Sequence, residues 1–293
     1  MNLMTAAPIT PSTRDSTSGG GRGPARSVGR HFATIWARAV GDKLVLVSVL
    51  AVYGLVIGAG VGALWPPLRD TFADLAQNLP AAFDQILGGI SLATPEGWLH
   101  AEMLSILAPG FLIAAAIISA GAATAGEEQA RTLGLVLSSG VGRTTFLAAK
   151  TAAVVTHLLL VSVAMFLGMV IGNASGDMGI AIGALASSAL WVFLFGLMYA
   201  AIALTLGALL GDRRLSSAIT AGIAAVSFVL ATFLPLNDAL TGWAKVNLWY
   251  PYSGNVPVVD GIDGGLAAVM VGIAVVVALV GLVGFRRRAD LRG

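Results

Sequence analysis

The residues able to do chemistry in this chain fall in four places. His157 lies inside a long apolar run, and His100 stands near Glu96 and Glu102. A GVGRTT turn spans Gly140 to Thr145, within a charged stretch, GEEQARTLGLVLSSGVGRTTFLAAK, that runs from Gly126 to Lys150. There is no cysteine, which removes thiolate catalysis, disulfides and cysteine metal sites. His100 and Glu102 lack the two-histidine helical spacing of a zinc hydrolase, and no G-x-S-x-G elbow occurs. GVGRTT imitates the end of a phosphate loop, but Leu137 stands where its first glycine belongs and Arg143 where its lysine belongs. The sequence therefore assigns this chain no catalytic, cofactor-binding or metal-binding residue and no nucleotide site of its own.

What must position these residues is a membrane. Hydrophobic residues make up 57% of the 293 and charged residues only 11%, a balance foreign to a water-soluble domain of this length. Six runs are long enough to cross a hydrocarbon core about 30 Å thick as helices. They are Leu44 to Leu64, Leu104 to Ala125, Phe146 to Gly172, Met178 to Leu210, Leu215 to Leu234 and Gly265 to Phe285. None alternates with the period of a barrel strand, so the expected fold is an all-α membrane protein with six transmembrane helices. The fourth run is too long to stand upright and must tilt, project or break.

Charge sets the expected orientation. With both termini cytoplasmic, 15 of the 17 Lys and Arg lie on the inner side, leaving only Arg69 and Lys245 outside. Trp65, Trp98, Trp243, Trp249, Tyr250 and Tyr252 then read as outer interfacial anchors and Trp36 as an inner one, with Trp191 the exception in mid-span. The formal charge of +2 reflects this topology and the attraction of basic flanks to anionic membrane lipids, not a nucleic-acid partner. Residues 1–27 read as a disordered cytoplasmic tail. Residues 28–43, with Val28, Phe32, Ile35, Trp36 and Ala39 at helical spacing, read as an interfacial amphipathic helix. Residues 44–285 form the six-helix domain, and 286–293 a basic cytoplasmic tail. Of the two longer outer segments, the first carries a helix-start signal at Thr94-Pro95-Glu96, and the second holds the Trp and Tyr cluster.

Two intramembrane features bear on packing. Gly54, Gly58 and Gly62 make a small-xxx-small ridge for close helix approach, within the chain or between copies. His157 is a candidate intramembrane polar site. With no carboxylate in the membrane interior to receive a proton, it reads as a neutral histidine bonded to a neighbouring helix rather than a relay.

The charged stretch is the remaining candidate. Glu127 and Arg131 are one helical turn apart in the favourable order, Leu133, Val136 and Leu137 make an apolar face, and Ser138, Ser139 and Gly140 end it. On the residues alone, a docking helix offered to a soluble partner and an ordinary solvated turn are equally served. The stretch resembles the signature loop of ATP-binding-cassette (ABC) transporter permeases of the second export type. Glu127, Glu128, Thr132, Leu133, Leu135, Leu137, Ser138, Val141, Arg143 and Lys150 fall on matching places, while Gly134 and Gly140 depart from the usual acid and proline. TPEGW before the second span and YPYSGNVPVVDG before the last extend the resemblance.

That resemblance implies a multi-pass permease subunit of the cell (plasma) membrane that moves an unidentified substrate, with hydrophobic and drug-like cargo among the candidates. Its partners would be two soluble ABC ATPase subunits, which hold ATP and magnesium, and a second permease subunit, identical or related. The ATPase-coupling loop would comprise Glu127, Glu128, Arg131, Thr132, Leu133, Leu137 and Arg143. The alternative, an ion- or proton-coupled secondary transporter or channel, would need intramembrane carboxylates or a charged pore, and the six runs carry neither.

Overall fold

The computed structural model describes residues 24–76, 90–123 and 142–287, and those residues form helices and turns with no strand among them. Helix α1 is Pro24–Ala63, α2 Trp65–Ala76, α3 Pro95–Leu99, α4 Leu107–Ala123, α5 Arg143–Ser175, α6 Ile182–Leu210 and α7 Arg213–Phe233. Three single-turn helices follow, α8 Thr241–Ala244, α9 Tyr250–Ser253 and α10 Pro257–Asp260, and the last helix is α11, Gly264–Arg287. Six spans of membrane length result: Gly29–Ala63, Pro95–Gly121, Arg143–Ser175, Ile182–Leu210, Arg213–Leu236 and Gly264–Arg287.

Helix α1 is one uninterrupted helix of 40 residues. At 1.5 Å per residue it is about 60 Å long, twice the hydrocarbon thickness. Residues 28–43, expected to lie apart along the interface, are its first turns, continuous with the span. The only glycines there, Gly29 and Gly41, stand singly, and a lone glycine weakens a helix without ending it.

The second span opens at Pro95, earlier than the expected Leu104, at the Thr94-Pro95-Glu96 helix start assigned to the outer segment. Thr94 Oγ1 accepts from the Gly97 N–H at 3.1 Å, with Pro95 at the first helical position. Between α3 and α4 the chain widens into a π-turn over His100–Leu104. The long fourth run starts later than its hydropathy suggests. Asp177 at φ 47° and Gly179 at φ 73° turn the chain, and helix begins only at Ile182. Asn173 fixes this turn at two points, its Oδ1 accepting from Ile180 N–H at 3.0 Å and its Nδ2 donating to Ile180 O at 2.9 Å.

Helix α6 lies at the centre, packed on α4, α5, α7, α10 and α11, and is the most deeply buried span. Helix α5 is held between α6 and α1, and the α1–α5 seam is the most extensive among the described residues. Its cause is glycine on both sides. Gly54, Gly58 and Gly62 face a matching stripe of Met165, Gly168, Gly172 and Gly176. A methyl group on Gly58 would lie 2.8 Å from Met169 N and 2.9 Å from Gly168 C, and one on Gly62 would overlap the Gly172 backbone. The ridge thus serves contact within the chain.

Gly58→Leu and Gly172→Leu are expected to cost about 1–3 kcal/mol or more by forcing the two backbones apart. Both should lower the thermal unfolding midpoint in detergent by several degrees. Gly60→Leu, on the same helix but with nothing within 4 Å of its Cβ position, should leave that midpoint unchanged.

Candidate functional site

Two ends of the bundle carry organised side chains. At one end, the start of α5 meets the ends of α6 and α11. Phe146, Leu147, Ala208 and Phe285 form a buried cluster there, with Ile35 of α1 and Leu282 packed against it. The Phe146 and Phe285 rings stack with centroids 6.4 Å apart at 17°. Arg143 opens α5, and its Nη1 donates to the Arg286 carbonyl at 3.4 Å, a cation set against the negative end of the α11 dipole. Lys150 is buried, with Nζ 5.6 Å from the Phe146 ring centre. Arg213, at the start of α7, lies against Gly121 near the end of α4, so it belongs to this same end. Arg143, Lys150, Arg213 and Arg286 therefore lie toward the same end of the bundle.

Of the expected coupling-loop residues, Arg143 is placed here. Glu127, Glu128, Arg131, Thr132, Leu133 and Leu137 lie outside the described residues. His157 is buried deeper along α5 and joins three helices. Its Nε2 lies 3.1 Å from Val40 O of α1, and its Nδ1 lies 2.9 Å from Ser119 Oγ of α4. Because a carbonyl only accepts, Nε2 carries the proton in the neutral ring and Nδ1 accepts from the Ser119 hydroxyl.

The opposite end is closed by aromatic side chains. The segment from α8 to α10 turns inward over α6, burying Trp249, Tyr252, Val256 and Val258. Phe195 of α6 lies 5.0 Å from Trp249, 4.6 Å from Tyr252 and 5.0 Å from Tyr199 between ring centres. Trp191 Nε1 donates to Tyr252 O at 2.9 Å, and Ser187 Oγ donates to Pro257 O at 3.0 Å. Tyr252 Oη in turn donates to the carbonyl of Leu104, the last residue of the π-turn. Burial pushes the Tyr252 phenol well above its ordinary range, so it stays protonated and keeps donating at any physiological pH.

This arrangement corrects the aromatic-belt expectation. Trp243 is 69% exposed and Trp36 36%, as anchors should be, but Trp65, Trp98, Trp249 and Tyr252 are buried in the bundle. Two of them have a polar reason to point inward: Trp98 Nε1 donates to Val61 O at 2.8 Å, and Tyr252 Oη donates to Leu104 O. Sequence reasoning missed the resulting plug. Its one available sign was Trp191, whose mid-span indole N–H required a buried acceptor.

Six membrane-length helices, the fourth of them the most buried, with cations at one end and an aromatic plug at the other, define a multi-pass helical membrane protein. The sequence pattern of the ABC-2 family transporter proteins matches residues 101–254, more than half of the chain, and the chain belongs to that family. It is an ABC transporter permease. No curated protein and no solved structure matches it.

Tyr252→Phe leaves a buried carbonyl without its donor, at a cost of roughly 1–3 kcal/mol. Its unfolding midpoint should fall below that of the wild type, whereas Tyr250→Phe, at a partly exposed position, should not move it.

Proposed function

We propose that this permease is the membrane half of an ATP-driven exporter in the cell membrane, with both termini cytoplasmic. Two such subunits, identical or related, form the pathway, and two separate ATPase subunits supply the work. The segment from Glu127 to Arg143 is its coupling element. The observation that carries this reading is the reach of the family match, which takes in the whole charged loop between the second and third spans. Export, rather than import, rests on the resemblance of that loop to the second export type. The cargo is unidentified, and the resemblance admits hydrophobic and drug-like molecules among its candidates.

The architecture suits a load applied at the loop. Its last residue, Arg143, begins α5, and the first turn of α5 is locked to α6 and α11 through Phe146 and Phe285. Force on the loop would therefore act on the long α5 helix and, through the glycine seam, on α1. Since a ligand shifts a two-state equilibrium only by its differential affinity, the loop must grip the ATPase differently in the two states of the pathway.

The double variant Glu127→Ala with Arg131→Ala should reach the membrane at the wild-type level. The amount of ATP-hydrolysing subunit that co-purifies with it, and ATP-dependent efflux from cells, should each fall tenfold or more. Unaltered efflux together with unaltered substrate-stimulated ATP hydrolysis would overturn the proposal.

A further inference from the structure

Helices α5, α6 and α11 do not close on one another along their whole length. Between them runs a cleft of about 240 Å³, bounded by residues such as Leu147 and Val154, Leu197 and Ala208, and Val271 and Leu282. Small side chains open it, Ala201 on α6 and Ala274 and Ala278 on α11, while Gly281 lets α11 close directly on Thr205. Only Thr151 and Thr205 interrupt its apolar lining, and the Thr205 hydroxyl already donates to Val277 O at 2.8 Å. One lip is exposed at Val271, Val275 and Ala278.

Its position along the membrane narrows what it can hold. From Val271 to Leu282 the cleft follows α11 for about 16 Å, half the hydrocarbon thickness. It stops about 10 Å short of the other end of α11, so it follows one leaflet rather than crossing the membrane. The slot opens sideways along Val275 and Ala278, and its end at Leu147, Ala208 and Leu282, closed by the Phe146–Phe285 cluster, lies one turn from Arg143 and Arg286, with Arg287 next. Arg286 and Arg287 are exposed, and Arg143 sits beside them through the Arg286 carbonyl. An apolar slot one leaflet long and open to the side, with arginines one turn beyond its end, is complementary to a molecule with a hydrocarbon tail and an anionic head. Guanidinium groups hold phosphate oxygens in pairs, and anionic lipid is drawn to basic residues at the interface.

We propose that this cleft binds one anionic phospholipid from the arginine-side leaflet, one acyl chain lying between α5, α6 and α11 and the phosphate lying against Arg143, Arg286 and Arg287. The lipid completes the packing of α11, the least buried of the six spans, against α5. The inference stands on the cleft and its arginines and does not require the coupling reading.

The full chain, purified in detergent and mixed with dioleoylphosphatidylglycerol or dioleoylphosphatidylcholine, tests it by native mass spectrometry. The wild type should retain the anionic lipid at least tenfold more than the zwitterionic one. Replacing Arg143, Arg286 and Arg287 by Gln should lower that retention by about fivefold for each arginine removed. Ala278→Phe and Val275→Trp, both on the exposed lip and so harmless to folding, should each lower it about tenfold by filling the slot. Val226→Phe, on the exposed face of α7, should leave it unchanged. Equal retention of the two lipids by the wild type, or full retention by both lip variants, would overturn the proposal. So would conversion of a dimer to a monomer by the lip variants, which would assign the slot to a second copy of the chain.

Discussion

The molecule depends on the absence of side chains along one seam. Water does not drive helices together inside lipid, so association rests on close van der Waals approach and on polar links. Between α1 and α5 that approach is extreme, because glycines on both helices leave backbone against backbone. The consequence reaches past the pair itself. Helix α5 is the helix that opens with Arg143, carries Phe146 into the cluster at the arginine end, and brings His157 between Val40 and Ser119. Where α1 fixes α5, it fixes all three.

Polar side chains supply the second kind of link, and each joins different elements. Ser162 of α5 donates to Ala189 O of α6, Thr205 of α6 to Val277 O of α11, and Asn247 to Ser227 O of α7. A helix carbonyl keeps a spare lone pair after its own ladder bond, so these hydroxyls and amides are satisfied without unwinding any helix. The π-turn is a variation on this economy. It offsets the backbone ahead of Leu104, whose carbonyl receives the Tyr252 phenol from a segment nearly 150 residues later in the chain. The aromatic plug is thereby tied to the second span as well as the fourth.

The six spans were legible because hydropathy is a bulk property, and the lipid environment permits one reading of an uncharged run of twenty residues. The glycine ridge on α1 was legible as a packing face, but not its partner, since Gly168, Gly172 and Gly176 read individually as ordinary small residues within and after a span. The inward turn of Trp249 and Tyr252 was hidden for a similar reason. An aromatic residue near the interface looks the same in sequence whether its polar tip meets lipid head groups or a buried carbonyl. The start of α6 was misjudged by four residues because Met178 and Ile180 are apolar, while the backbone there is set by Asp177, Gly179 and the two bonds of Asn173. As for the candidate site, the charged loop announced itself by composition. The way its last arginine seats against α11 did not, because that contact joins residues 143 positions apart.

Helix α6 ties the two ends of the bundle into one scaffold. It is bound at the plug end through Trp191 and Phe195 and at the arginine end through Ala208. A rigid motion that preserves both sets of contacts must carry α6 together with α5. The sparsest of the seams around α5 is the one with α11, where the helices part around the cleft and meet mainly at its arginine end. A load arriving at Arg143 is applied at that meeting point. Because α11 is also packed along α6, with Thr205 donating to Val277 O, a load at that point would be passed to α6 as well as to α11.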